Sequence, residues 1–199
     1  LALFYVSILA CPSNEDAPQI DADAAHAPAA VTRERLVPAS DEPRNWITHG
    51  GDYAEQRFSR LDSIDMQNVG ELGLAWSHDM KSRRGVEATP IVVDGIMYVT
   101  ASWSVVHALD AVTGEELWVY DPQVDPAIGY KGCCDVVNRG VAIWEGKVFV
   151  GAYDGMLHAI DAATGEGLWK VDTVWNHDWS YTITGAPRVV DGKVLIGNG

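Results

Sequence analysis

Two adjacent cysteines, Cys133 and Cys134, sit in Gly-Tyr-Lys-Gly-Cys-Cys-Asp-Val-Val-Asn-Arg-Gly (129–140). A bond between neighbours closes a ring across one peptide unit. There the Cα atoms are only about 3.8 Å apart in trans and ~2.9 Å in cis, shorter than an ordinary disulfide prefers. Such a bridge closes almost no loop, so loop entropy gives it little stabilising purpose. The pair also lacks the two-residue gap of zinc and thioredoxin motifs. What a bonded pair offers is a flat, rigid, sulfur-faced platform; the alternative is two reduced thiols packed in a core.

The segments around the pair bear on its redox state. The third cysteine, Cys11, ends the apolar run 1–11, far shorter than the ~20 residues of a membrane span. The run reads as the tail of a secretory signal. Ile-Leu-Ala-Cys (8–11) is similar to a lipoprotein cleavage box, which makes Cys11 a candidate acylation site, against a plain signal peptide cut nearby. Either version implies export, and a Cys133–Cys134 bond can persist in an oxidising compartment. Residues 12–43, rich in Ala, Pro, Asp and Glu, are expected to be a disordered tether, leaving 44–199 to fold. With 28 acidic against 14 basic residues, a formal charge of −14 and no basic cluster, the chain is not built for nucleic acid or an anionic membrane surface.

An internal repeat sets the architecture. Residues 95–118 align without a gap on 146–169, a period of 51, in the range of propellers and arrays. Each copy reads as short antiparallel strands: Thr89–Val93, Ile96–Thr100, Val105–Leu109 and Leu117–Tyr120, then Val141–Trp144, Val148–Gly151, Met156–Ile160 and Leu168–Val171. Four such strands make a propeller blade. Residues 71–76 are expected to be the last strand of an earlier blade, and 185–197 the start of a third. The fold class is thus all-β, about two to three blades of a larger ring, and the chain is expected to be a fragment truncated at 199.

Ala108-Leu-Asp-Ala-Val-Thr-Gly-Glu-Glu-Leu-Trp118 and Ala159-Ile-Asp-Ala-Ala-Thr-Gly-Glu-Gly-Leu-Trp169 match the tryptophan-docking motif Ala-x-Asp-x-x-Thr-Gly-x-x-x-Trp of quinoprotein propellers. Together with Gly132-Cys-Cys-Asp-Val-Val-Asn-Arg-Gly-Val-Ala142, Gly50-Gly-Asp-Tyr53, Arg57-Phe-Ser59, Val86-Glu-Ala-Thr-Pro90 and Tyr181-Thr-Ile-Thr-Gly-Ala-Pro-Arg188, residues 44–199 resemble the PQQ-dependent (quinoprotein) alcohol dehydrogenases. These are eight-bladed β-propellers that use pyrroloquinoline quinone (PQQ). The resemblance implies a vicinal disulfide between Cys133 and Cys134 packed on the PQQ ring. It further implies that Arg139 contacts the quinone oxygens and carboxylates, that Glu87 hydrogen-bonds PQQ and that Thr184 donates to a PQQ carboxylate. On residue type alone Arg139 is a surface ion-pair member, Glu87 a solvated edge residue and Thr184 a strand-entry hydroxyl.

The same resemblance implies oxidation of an alcohol to an aldehyde or ketone in the periplasm. A Ca²⁺ acts as Lewis acid, an aspartate as base, and electrons leave to cytochrome c, with haem c in a C-terminal domain of some relatives. By the family pattern the metal ligands and the catalytic base lie beyond residue 199, so the fragment by itself is expected to be inactive. His107 and His158, at equal places in the two copies, are expected to serve blade architecture, with no second metal ligand near either. Trp175-Asn-His-Asp-Trp179 reads as an exposed loop, with the lining of a cofactor funnel as the other possibility, and Asp135 is not assigned as the base. A non-enzymatic propeller lipoprotein, a scaffold for outer-membrane protein assembly, is the alternative function. Cys133–Cys134, Arg139 and Glu87 together separate the two.

Overall fold

Short β-branched runs, each closed by a tight glycine turn, produce two meanders and the beginning of a third. The computed structural model describes residues 28–197; Cys11, the apolar run and the first half of the tether lie outside the described residues. Strands β1 (Ile91–Val93), β2 (Ile96–Thr100), β3 (Val106–Asp110) and β4 (Glu116–Tyr120) form one antiparallel sheet in sequence order. Strands β5 (Ala142–Trp144), β6 (Lys147–Gly151), β7 (Met156–Asp161) and β8 (Gly167–Asp172) form a second sheet of the same order. Strands β9 (Arg188–Val190) and β10 (Lys193–Leu195) pair as a hairpin. The all-β, four-stranded blade pattern expected from the repeat is therefore present, with strand limits within two residues of the sequence reading.

The turns explain why these runs pair in this register. Val93 pairs with Ile96, Trp144 with Lys147 and Val190 with Lys193, so each hairpin has a two-residue loop. The loops are Asp94-Gly95, Glu145-Gly146 and Asp191-Gly192, with both residues at positive φ. That is the turn whose twist matches paired strands, and an acidic residue followed by glycine suits it.

The docking motif has a matching local logic. Asp110 Oδ1 accepts from the amides of Val112 and Thr113 and from the Thr113 hydroxyl. Asp161 repeats the pattern with Ala163 and Thr164. Hydrogen bonds from the threonine amide hold both carboxyls below their ordinary range. Each turn then ends in a glycine at φ +74° or +76°. A Cβ on Gly114 would lie 2.5 Å from the Trp76 ring, and one on Gly165 would lie 2.7 Å from Trp118. Each tryptophan thus lies against the glycine turn of the following blade, and Trp118 Nε1 donates to the Ala162 carbonyl at 3.1 Å. Trp169 finds no such turn among the described residues; it is 45% exposed and packs beside Phe149.

The main core fills the space between the two sheets with Ile91, Val93, Tyr98 and Val106 from the first and Ile143, Val148, Val150 and Ile160 from the second. Each of the valines and isoleucines contributes about 1.5–3 kcal/mol on burial, so each sheet draws much of its stability from the other's face.

Two sequence expectations are corrected. Residues 28–43 are not wholly a tether: they carry helix α1 (Arg33–Leu36), and Ala29, Val31, Leu36 and Ala39 are buried in the main core. The Glu145 and Gly146 amides donate to the Val31 and Ala29 carbonyls, and the Arg35 guanidinium clamps Glu42 and Asp94 together. Mean composition hid four apolar residues spaced to cap the blade edge. Residues 71–76 form no strand either, because no described strand runs beside them to supply ladder partners. Trp76 still docks on Gly114.

Candidate cofactor site

The cysteine pair lies on the long connection from β4 to β5, and the connection is pinned at several points. A short 3-10 turn, Pro126–Lys131, starts at Asp125, whose carboxylate accepts from the Ala127 amide at 2.8 Å. The fully buried Tyr153 then fastens the approach to the cysteines. Its hydroxyl accepts from the Gly132 amide at 2.7 Å and donates to the Gly129 carbonyl at 3.0 Å. Only glycine fits at 132, since a Cβ there would sit 2.3 Å from that hydroxyl. On the far side, Asp135 takes φ +68°, ion-pairs with Arg84 and accepts from the Val136 amide. The Arg84 guanidinium also lies 5.9 Å over the Trp103 ring, and Trp103 donates its amide to the Val136 carbonyl.

Asn138 locks the next turn from inside. It is 1% exposed, and its Nδ2 donates to Ser104 Oγ at 3.0 Å and to the Gly151 carbonyl at 2.9 Å. Its Oδ1 accepts from the Gly140 amide at 3.0 Å. Every side-chain polar atom of this buried amide is thereby used.

Arg139 follows, stitched between two other segments: its amide donates to the Thr184 carbonyl and its carbonyl accepts from the Thr89 amide. Those bonds bring Glu87, two residues before Thr89, to one flank of the guanidinium and Thr184 to the other. Arg139 Nη2 is 2.9 Å from Glu87 Oε2, and Nη1 donates to Thr184 Oγ1 at 2.8 Å. Both charged side chains remain open to solvent, at 40% and 46% exposure.

Cys133 and Cys134 are exposed and stand as two thiols rather than a bonded pair. Their exposure removes the core-packing alternative raised by the sequence. The Cys134 thiol is pushed up from the usual thiol range, first by its hydrogen bond with the Cys133 sulfur and then by the charge that sulfur can carry. Arg139 pulls it down and Glu87 pushes it up, which places both side chains within electrostatic reach of the pair.

Of the five predicted cofactor residues, Glu87, Arg139 and Thr184 thus meet directly, and Cys134, next to Cys133, lies within electrostatic reach of Arg139 and Glu87. The donor set is a guanidinium fork with a hydroxyl beside it, next to exposed sulfurs. It fits a planar, oxygen-rich, anionic ring: the fork suits carboxylate and quinone oxygens. The Thr184 oxygen is occupied as an acceptor, so its own proton is free to be given to a ligand.

The family described as "PQQ: Glucose/ethanol/alcohol dehydrogenase, beta-propeller domain" matches residues 46–198. The chain belongs to this family. It is 60% identical over 177 residues to a quinohemoprotein alcohol dehydrogenase of Comamonas testosteroni, covering 87% of this chain and 25% of that protein. It is 63% identical over 154 residues to a 1-butanol dehydrogenase (cytochrome c) of Thauera butanivorans, covering 77% of this chain and 22% of the relative. Among solved structures, the quinohemoprotein alcohol dehydrogenase ADHIIG of Pseudomonas putida superposes with a TM-score of 0.86 at 59% identity, over 88% of this chain and 26% of that one. The chain therefore spans about a quarter of the length of the relatives it matches, within a PQQ dehydrogenase β-propeller.

Other residues singled out by sequence have different fates. Trp175 is 86% exposed and contacts Trp179, which in turn contacts Tyr181; Lys131 reaches over to the His177 carbonyl. This aromatic strip is an exposed surface beside the cysteine turn. Asp135 is engaged by Arg84. His158 is buried and takes an architectural contact, its Nδ1 2.9 Å from the Tyr120 hydroxyl. His107 departs from expectation: His78 and Glu116 lie beside it, so further ligand atoms are within reach. His78 is 29 positions away on a segment with no ladder, which is why spacing did not reveal it. Tyr153 and Asn138 were also missed. A tyrosine where the first copy has Ser102 was the signal for one; nothing local signalled the other.

Proposed function

We propose that the complete protein oxidises alcohols to aldehydes or ketones with PQQ, and that residues 84–139 and 181–188 form one wall of its cofactor site. The observation that carries this reading is the joining of Arg139 to Glu87 and Thr184 beside the exposed cysteine pair, in a chain about 60% identical to quinohemoprotein alcohol dehydrogenases. An exposed ion pair such as Glu87–Arg139 is worth only about 0–1 kcal/mol to folding, so stability does not account for the arrangement; orientation of the fork does.

Bound PQQ supplies the two-electron acceptor of the reaction. Arg139 holds the oxygens of that ring, Glu87 keeps the guanidinium turned toward it, and the Thr184 hydroxyl donates to a carboxylate. Cys133 and Cys134, joined as a vicinal disulfide after export, give a rigid apolar floor on which a flat ring rests. Ca²⁺ is the metal of this reading, held by hard oxygen ligands not contributed by these residues. Periplasmic location, a lipid on Cys11, a haem c domain and electron transfer to a cytochrome c complete it; the Thauera relative's name pairs 1-butanol with cytochrome c. A scaffold propeller has no use for a cation fork beside paired sulfurs.

The test is dye reduction by the complete protein reconstituted with PQQ and Ca²⁺. Ethanol and 1-butanol should each drive reduction that depends on both additions. Absence of turnover across a range of primary and secondary alcohols, with PQQ demonstrably bound, would refute the assignment.

A further inference from the structure

Outside the cofactor face, a second group of chemistry-bearing side chains meets where Trp76 docks on the first blade. His78 Nε2 lies 3.2 Å from Glu116 Oε2, and His107 Nδ1 lies 3.3 Å from the same oxygen. One ligand atom from each of the three residues falls within 4.8 Å of the others. His107 is 4% exposed, His78 16% and Glu116 45%, so the group is walled on the protein side and open on one flank.

The internal repeat supplies a control. Trp76 stands to Gly114 as Trp118 stands to Gly165, so His78 occupies the place of Tyr120 and His107 that of His158. The ring pairs agree: centroids 5.5 Å apart at 67° for His78–His107, and 5.8 Å at 66° for Tyr120–His158. In the second copy the pair is closed by a direct 2.9 Å hydrogen bond between the Tyr120 hydroxyl and His158 Nδ1, and Gly167 stands where Glu116 does in the first. In the first copy the phenol is replaced by an imidazole and the glycine by a carboxylate. Both changes introduce a metal-ligating group, and they meet at a histidine the two copies share. An architectural pair needs neither change.

The geometry agrees with the composition. Zinc–nitrogen and zinc–oxygen bonds of about 2.0–2.2 Å place neighbouring ligand atoms of a tetrahedron roughly 3.3 Å apart, which matches the 3.2 and 3.3 Å separations. His78 Nε2 is buried and makes no hydrogen bond, although it lies this close to a carboxylate oxygen. Two imidazoles and one carboxylate favour a borderline cation of the Zn²⁺ kind over Ca²⁺, which takes oxygens. The groove lined by Met80, Val119 and Asp121 leads to the Glu116 side and leaves room for a fourth ligand.

We propose that His78, His107 and Glu116 form a Zn²⁺-class site, with a fourth position open to water, that ties the segment carrying Trp76 to the first blade. The experiment uses the complete protein, already loaded with PQQ and Ca²⁺, dialysed against Zn²⁺ alone and analysed for bound metal. The expected result is one additional Zn²⁺ per chain, with binding in His78→Tyr weakened by at least the roughly 10–100-fold that loss of a ligand's own hydrogen-bond partner costs. That variant installs the Tyr–His pair already tolerated in the second copy. Glu116→Gly, which repeats the glycine the second copy has at 167, should weaken binding in the same direction. Co²⁺ in place of Zn²⁺ should give visible absorption of tetrahedral intensity in the parent and not in His78→Tyr. No bound Zn²⁺ in the parent, or undiminished binding in His78→Tyr with the ion held at the cysteines or elsewhere, would overturn the proposal.

Discussion

Arg139→Ala is expected to weaken PQQ binding roughly 100-fold, about 2.7 kcal/mol, while leaving the fold intact. The side chain offers a planar fork whose two nitrogens are already oriented by Glu87 and Thr184, so little rotamer entropy is lost when a ligand arrives. Hydrogen bonds to charged partners contribute about 1.5–3 kcal/mol each. Removing the fork also leaves the Glu87 carboxylate uncompensated beside an anionic ligand, which adds repulsion to the loss. Arg139→Lys should recover only part of the affinity, because one ammonium cannot hold Glu87 and Thr184 apart and still face the ring. Folding should hardly change, since the 40% exposed guanidinium sits in an ion pair of small net worth. PQQ titration of the complete protein, monitored by calorimetry, measures the effect; affinity within about threefold of the parent would be at odds with the role given to Arg139, as 100-fold is the scale a lost fork implies.

Asn138→Ala is expected to act on stability first, lowering it by about 3 kcal/mol. Its amide is the buried peg of the turn that presents the cysteines and Arg139. Without it the Ser104 hydroxyl, the Gly151 carbonyl and the Gly140 amide lose their partner in a region closed to water. Each unsatisfied buried group costs about 1–3 kcal/mol, offset in part where relaxation lets water in. Asn138→Asp should also be strongly destabilising: it keeps an acceptor for the Gly140 amide but loses both donations and buries a charge. Urea unfolding should show a lower midpoint at an unchanged slope. A loss under about 1 kcal/mol would mean the turn is held by its backbone bonds, since that is the net worth of a single ordinary hydrogen bond.

What could be read in advance was local or repeated. The blade strands followed from short apolar runs repeated at a period of 51 residues, and the tryptophan docking from an aspartate–threonine turn present twice. Glu87, Arg139 and Thr184 could be named only through family resemblance, because nothing in their neighbourhoods distinguishes them from an edge acid, a surface base and a strand-entry hydroxyl. Their meeting depends on backbone bonds from Arg139 to Thr89 and Thr184, the shorter of which already spans 45 residues. The same limit hid Asn138, whose amide donates to Ser104 and Gly151, 34 and 13 residues away, and the approach of His78 to His107. Composition misled at 28–43, where four well-placed apolar residues outweigh a polar average, and periodicity misled at 71–76, where a strand-like run has no neighbour to pair with.

The most direct test of the central claim is a crystal structure of the complete protein with PQQ bound. The expected density places the quinone ring flat against Cys133 and Cys134, the sulfurs bonded to each other, with Arg139 within hydrogen-bonding distance of the ring oxygens and Thr184 on a carboxylate. PQQ bound on another surface, with the cysteine pair and Arg139 facing open solvent, would contradict it.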